Sequence, residues 1–259
     1  MSNMSNMSHM SMPMSISGAI RRGSDLDRIV RDWARIGASF NVEPAPATPD
    51  LEQLIVDTVR AGRDHARLLI VAATWLRAYG ALVARHRLAR LAVSQLGETE
   101  RAILGWLIDE SLGANRRYRE VRAVCRPASR LRSVFRVHER HADLLERLER
   151  SASPHARRWN LLAESLPDKP DALRATAWIL RNNPSLALRA LLEGDLRASI
   201  LAAIEHDGDA GASELELARR CGASRAAVRN ALTRLELAGH VDRRRVGRNT
   251  RIEAHVAHA

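Results

Sequence analysis

Between Ser213 and Arg251 the chain repeats one pattern twice: a helix opener, an apolar stripe at helical spacing, and a glycine that stops it. Ser213 stands three residues before Glu216, the spacing of a capping box, so a helix is expected to start there. Leu217, Ala218 and Cys221 then share one helical face. Gly222 is expected to close that helix, because the left-handed conformation costs glycine nothing. Ser224 can accept from the free amides that open a second helix. Val228, Ala231, Leu232 and Leu235 recur there at i, i+3, i+4 and i+7, a narrow inward stripe, and Gly239 ends it. Val241–Arg245 and Thr250–Ala254 read as two short strands around a Gly247-Arg248-Asn249 turn.

Opposite the inward stripe, at about 100° per residue, lie Ala226, Asn230, Thr233 and Leu237, flanked by Arg229 and Arg234. Small, amide, hydroxyl and guanidinium groups of this kind reach base edges and phosphates when a helix enters a major groove. From Ser224 to Arg251 eight arginines face only Glu236 and Asp242, a net charge of +6. These residues resemble the winged helix-turn-helix superfamily, in the style of the MarR and ArsR-like bacterial regulators, over roughly residues 195–257. The resemblance implies double-stranded DNA as partner. Base readout is expected from Arg225, Ala226, Arg229, Asn230, Thr233 and Arg234. Phosphate and wing contacts are expected from Ser213, Ser224, Arg243, Arg244, Arg245, Arg248, Asn249 and Arg251. The same fold also serves protein contacts; the local charge weighs against that use.

Upstream, near-continuous helical periodicity from Asp50 onward, scarce aromatics (3%) and abundant Ala, Leu and Arg point to a mainly α fold: an N-terminal helical bundle followed by the winged helix. β-structure is expected in the wing alone. The divisions expected are a disordered Met/Ser-rich leader (1–22), a short helix and Pro/Ala linker (23–49), a helical domain for dimerisation or partner binding (50–193), and the DNA-binding domain (194–257). The 259-residue chain can hold a core in each of two domains. Helices are expected over Asp50–Ala61, Asp64–Leu96 with a bend at Gly80, and Glu98–Ser111. Others are expected over Asp143–Arg150, Pro154–Leu166 and Asp168–Arg181.

The net charge of +11 points to a polyanion, although Lys169 is the single lysine, a skew that a GC-rich genome would produce without any function. Distribution therefore carries more weight. Arg116, Arg117, Arg119, Arg122, Arg126, Arg130, Arg132 and Arg136 face one acid, Glu120, in a stretch expected to form two helices broken at Pro127. It is either a second nucleic-acid surface or a solvated face.

Several motifs point to chemistry only in fragments. Asp25-Leu-Asp27 resembles part of a nucleotidyltransferase motif, whose strand would present two carboxylates to Mg²⁺, but the residues around it read as a capped helix. His138 and His141 stand three apart, not the four of a metalloprotease helix. The leader's methionines with His9 are soft-ligand types, against the plainer reading of an overlong start. Cys125 and Cys221 have no C-x-x-C partner, so no disulfide framework or zinc finger is implied, and Cys221, on the inner face of its helix, reads as a small core residue. No phosphate-cradling glycine loop, nucleophile elbow or dinucleotide fingerprint appears, so no enzyme, metal or cofactor is expected. Leu68–Ala84 is too short and, with Arg77, too charged for a membrane span, and a cytoplasmic protein is expected. The leading reading is a homodimeric transcriptional regulator. The second is an accessory subunit of a DNA-associated assembly such as a defence or toxin–antitoxin system, and the third a nucleotidyltransferase relic.

Overall fold

The computed structural model describes residues 16–246 and 249–255. Ten helices build an N-terminal body: α1 (Ile16–Arg35), α2 (Leu51–Ala61), α3 (Ala66–Tyr79), α4 (Arg85–Gln95), α5 (Glu98–Leu112), α6 (Arg119–Val124), α7 (Ala142–Ser151), α8 (Pro154–Arg158), α9 (Thr176–Asn182) and α10 (Pro184–Leu192). Its core gathers around three fully buried tryptophans, each with its indole N–H satisfied. Trp33 Nε1 donates to Thr58 Oγ1 at 2.8 Å, Trp75 Nε1 to the Ile36 carbonyl at 3.0 Å, and Trp106 Nε1 to Glu110 Oε1 at 3.2 Å. The rings of Trp33 and Trp75 meet edge to face, 6.0 Å apart.

A second core lies in the C-terminal unit: α11 (Leu196–His206), α12 (Glu214–Cys221), α13 (Arg225–Leu237), and an antiparallel hairpin of β3 (Val241–Val246) and β4 (Asn249–Ala254). α10 belongs to both bodies, with Leu186 in the first core and Leu192 in the second.

Several expected helices are shorter or absent. The Asp64–Leu96 helix is three pieces, because Gly80 opens a short 3-10 turn and its carbonyl accepts from the buried Tyr118 hydroxyl at 2.7 Å. After Pro127 the arginine stretch runs extended instead of helical, and two residues, Arg132–Ser133 (β1), pair in parallel with Leu161–Leu162 (β2). Strand structure is therefore not confined to the hairpin. The Pro154–Leu166 helix stops at Arg158, since Asn160 takes a left-handed φ of 52° and sends the chain into β2. Of Asp168–Arg181 only Thr176–Asn182 is α-helical, after a 3-10 turn at Pro170–Ala172. α1 begins at Ile16, inside the expected leader; residues 1–15 and their methionines lie outside the described residues.

A buried ion network sits where the bodies meet. Arg87 on α4, 1% exposed, reaches Asp50 (2.5 and 2.6 Å), which caps α2, and Asp207 (2.5 and 3.1 Å), which follows α11. Beside it Arg189 of α10 donates to both oxygens of the fully buried Glu52 at 2.9 and 3.1 Å, and Glu52 also accepts from Ala84 N at 2.8 Å. Burial pushes the Asp50 carboxyl up, but the Arg87 hydrogen bonds and charge outweigh it and hold it below the usual value. The chain passes this junction at Gly194, whose φ is +65° and whose Cβ, if present, would meet the Val83 carbonyl at 2.1 Å. Only glycine fits there.

Candidate nucleic-acid interface

The two-helix motif forms as its local chemistry dictates. Ser213 Oγ caps α12 by accepting from Glu216 N at 3.1 Å, and Ser224 Oγ caps α13 by accepting from Ala227 N at 3.2 Å. Gly222 closes α12 in the left-handed conformation (φ 64°, ψ 30°). The reciprocal half of the capping box is not made: the Glu216 carboxylate turns forward to Arg219 and Arg220, whose hydrogen bonds hold its pKa down at about 2. Val228, Ala231, Leu232 and Leu235 are buried, as are Leu217 and Ala218 of α12 and Val241 and Ile252 of the hairpin. Cys221 is buried with them, and desolvation pushes its thiol up to about 12, so it packs as a small apolar group. Cys125, in the other body, is held at about 12 in the same way.

On the outer side of α13 the expected reading residues Arg225, Ala226, Arg229, Asn230, Thr233 and Arg234 are all exposed, and Leu237 is 85% exposed beside them. They do not all stand free. Glu214, in the first turn of α12, accepts from Arg229 Nη2 at 3.1 Å and lies 3.6 Å from Arg225 Nε. Thr233 spends its hydroxyl hydrogen on the Arg229 carbonyl at 3.1 Å.

The hairpin sorts its arginines by strand alternation. Arg243 pairs across the ladder with the buried Ile252 and so shares the inner face, where it bonds to Glu236 and reaches Glu214 at 3.7 Å. Arg243, expected to contact phosphate, is thus held by two acids of the domain itself, and its bond draws the Glu236 carboxyl down. Arg244 and Arg251 stand directly opposite one another on the outer face, their side chains 66% and 64% exposed. Like charges so placed repel across a ladder, and each lies near an acid of the same face that tempers this, Arg244 3.9 Å from Asp242 and Arg251 3.6 Å from Glu253. Arg245 is exposed on β3, and Asn249 opens β4. Gly247 and Arg248 lie outside the described residues.

The stretch 188–245 matches the family model of the DprA winged helix domain. The C-terminal unit is a winged helix. The matched model is that of the DprA domain, and the match does not support the MarR or ArsR-like assignment expected from the sequence. No curated protein and no solved structure matches the chain.

Outside the winged helix the second arginine stretch disperses. Arg122 is drawn inward, its Nε 2.6 Å from the buried Asp109 and its Nη1 2.7 Å from the Asn115 carbonyl. Arg136 pairs with Asp64, and Arg117 with Glu193 at 2.6 Å. Arg116, Arg119, Arg126, Arg130 and Arg132 are exposed. Asp25 and Asp27 lie on α1 and not on a strand, so they lack the setting of a nucleotidyltransferase pair. Among the described residues no three His, Cys, Asp or Glu are placed to hold a metal, and no helix is long and apolar enough to cross a membrane.

Charge counting from the sequence missed Glu214, which lies ten residues before the counted window yet touches three of its arginines. Helix-opening acids are usually credited to the macrodipole, so nothing local marked it as a brace.

Proposed function

We propose that the chain binds double-stranded DNA through the winged helix domain and reads sequence with the exposed face of α13. The observation that carries this is the outer surface itself: Asn230 and the arginines of α13 project without a covering element, and Arg244 and Arg251 oppose one another on the adjoining hairpin. Phosphate contacts from Arg244, Arg245 and Arg251 supply affinity, and Arg225, Arg229 and Asn230 supply discrimination, worth about 1–3 kcal/mol per good bidentate pair. As a transcriptional regulator the protein acts as a homodimer through the N-terminal body, since two half-sites one helical turn apart call for two motifs. Selection of bound duplexes from a random pool tests this reading. An enriched motif supports it, and equal recovery of all sequences overturns it.

A second reading is favoured by the domain matched. The DprA name belongs to a domain family other than the regulators, and the large N-terminal body offers a surface for docking to a larger DNA-associated assembly. A monomer by light scattering, with and without duplex, favours this accessory role over the dimeric regulator.

A further inference from the structure

Two clefts flank α6. On one side Arg116, Arg119, Arg158 and His155 ring an open cleft of about 310 Å³. The carboxylate at its floor, Asp109, is 2% exposed and already saturated: Arg122 Nε is at 2.6 Å, Trp159 Nε1 at 2.9 Å and Arg158 Nη1 at 3.4 Å. The mouth is therefore positive. On the other side, a cleft of about 410 Å³ is walled by Arg90 and Val93 of α4, by α6, and by Gly222–Ala223, the turn between the two helices of the motif. Its carboxylate, Glu120, is occupied by His86 Nδ1 at 2.8 Å. Arg90, Arg116 and Arg119 are exposed and make no ion pair with any described residue.

α6 thus lies between the start of α13 and the arginine-lined cleft. Crossing a helix with its side chains takes about 10 Å, and one DNA strand advances about 3.4 Å per phosphate along the axis. A strand whose phosphates pass Ser224 and Arg225 crosses the Gly222–Ala223 cleft first and then needs about three more steps to clear α6.

We propose that Arg90, Arg116 and Arg119 form a phosphate-binding track continuous with the winged helix, so that the N-terminal body grips the duplex beyond the recognition site. This rests on the duplex reading above. It also gives part of the arginine stretch a use, while Arg117, Arg122 and Arg136 serve ion pairs within the chain.

The test uses the full-length chain and the triple variant Arg90→Gln/Arg116→Gln/Arg119→Gln, whose exposed side chains leave both cores untouched. Fluorescence anisotropy is measured over a salt series on duplexes of about one and about three helical turns, the selected site at the centre. On the long duplex the salt slope is expected to become shallower by about 2.7, or 0.9 for each lost phosphate contact, with weaker binding. On the short duplex the change is expected to be smaller, because of the three only Arg90 borders the Gly222–Ala223 turn. An unchanged slope on the long duplex overturns the track, as does equal loss on both lengths. Binding of pyrophosphate by wild type alone, with duplex affinity unchanged, makes the cleft a small-anion site and also overturns it. If Asn230→Ala weakens binding while the triple variant does not, the track fails and the winged-helix reading survives; if wild type binds neither duplex, both fail.

Discussion

Glu214 Oε2 lies 3.1 Å from Nη2 of Arg229, so the first helix of the motif holds an arginine on the outer face of the second. The same carboxylate, its side chain 15% exposed, lies within 3.7 Å of Arg225 and Arg243. Three guanidiniums thus share one acid, and the free surface is less positive than its composition.

Replacing Glu214 with Gln removes both the brace and a charge that repels phosphate. Duplex binding is expected to tighten by up to about fivefold at low salt, since an exposed pair is worth at most about 1 kcal/mol. Anisotropy titration against random duplex checks it. Weaker binding would show that Glu214 positions Arg229 productively.

Arg87→Ala is expected to destabilise the protein by about 3–5 kcal/mol, because it leaves Asp50, Glu52 and Asp207 with a buried cation removed. Urea unfolding followed by circular dichroism reads this directly. A loss below about 1 kcal/mol would mean that the network does not join the two bodies.

The same junction sets an acid limit. The folded Asp50 carboxyl titrates below its ordinary value of about 3.9. Its contribution is therefore present above that value and lost as pH falls through the folded pKa. As pH falls from about 4 toward about 2 the Tm of wild type is expected to fall more steeply than that of Asp50→Asn. Parallel profiles would contradict it.

Two glycines separate conformational strain from crowding. Gly222 has φ +64° with nothing near its missing Cβ, so Gly222→Ala is expected to cost about 1–2 kcal/mol. At Gly194 the Val83 carbonyl adds a clash, and Gly194→Ala is expected to cost about 2–4 kcal/mol. Equal losses in chemical denaturation would contradict the close approach at Gly194.

What was legible in the sequence was local. Ser213, Gly222 and Ser224 act within a few residues of themselves, and the stripe Val228–Leu235 needs only a helical period, so both helices of the motif could be placed. What escaped was long-range. Nothing near Arg87 marks it as buried, because its partners Asp50 and Asp207 are 37 and 120 residues away. Helical periodicity continues past Arg158, but Trp159 leaves the helix to lay its ring on Gly105, where a Cβ would be 2.6 Å away. The sorting of the arginines failed for the same reason: Arg122 and Arg119 are alike in sequence, and only Asp109 tells them apart.

The most direct measurement is the affinity of Asn230→Ala for a selected duplex and for a scrambled one, beside Arg244→Ala. Asn230 projects from the first half of α13 without a described partner, whereas Arg244 stands on the outer face of the hairpin. Asn230→Ala is expected to lose about 1–3 kcal/mol on the selected site and almost nothing on the scrambled one. Arg244→Ala should weaken both alike and shallow the salt slope by about one. Equal loss on both duplexes for Asn230→Ala would contradict α13 as the reading helix, and no effect of either change would leave a winged helix that binds protein.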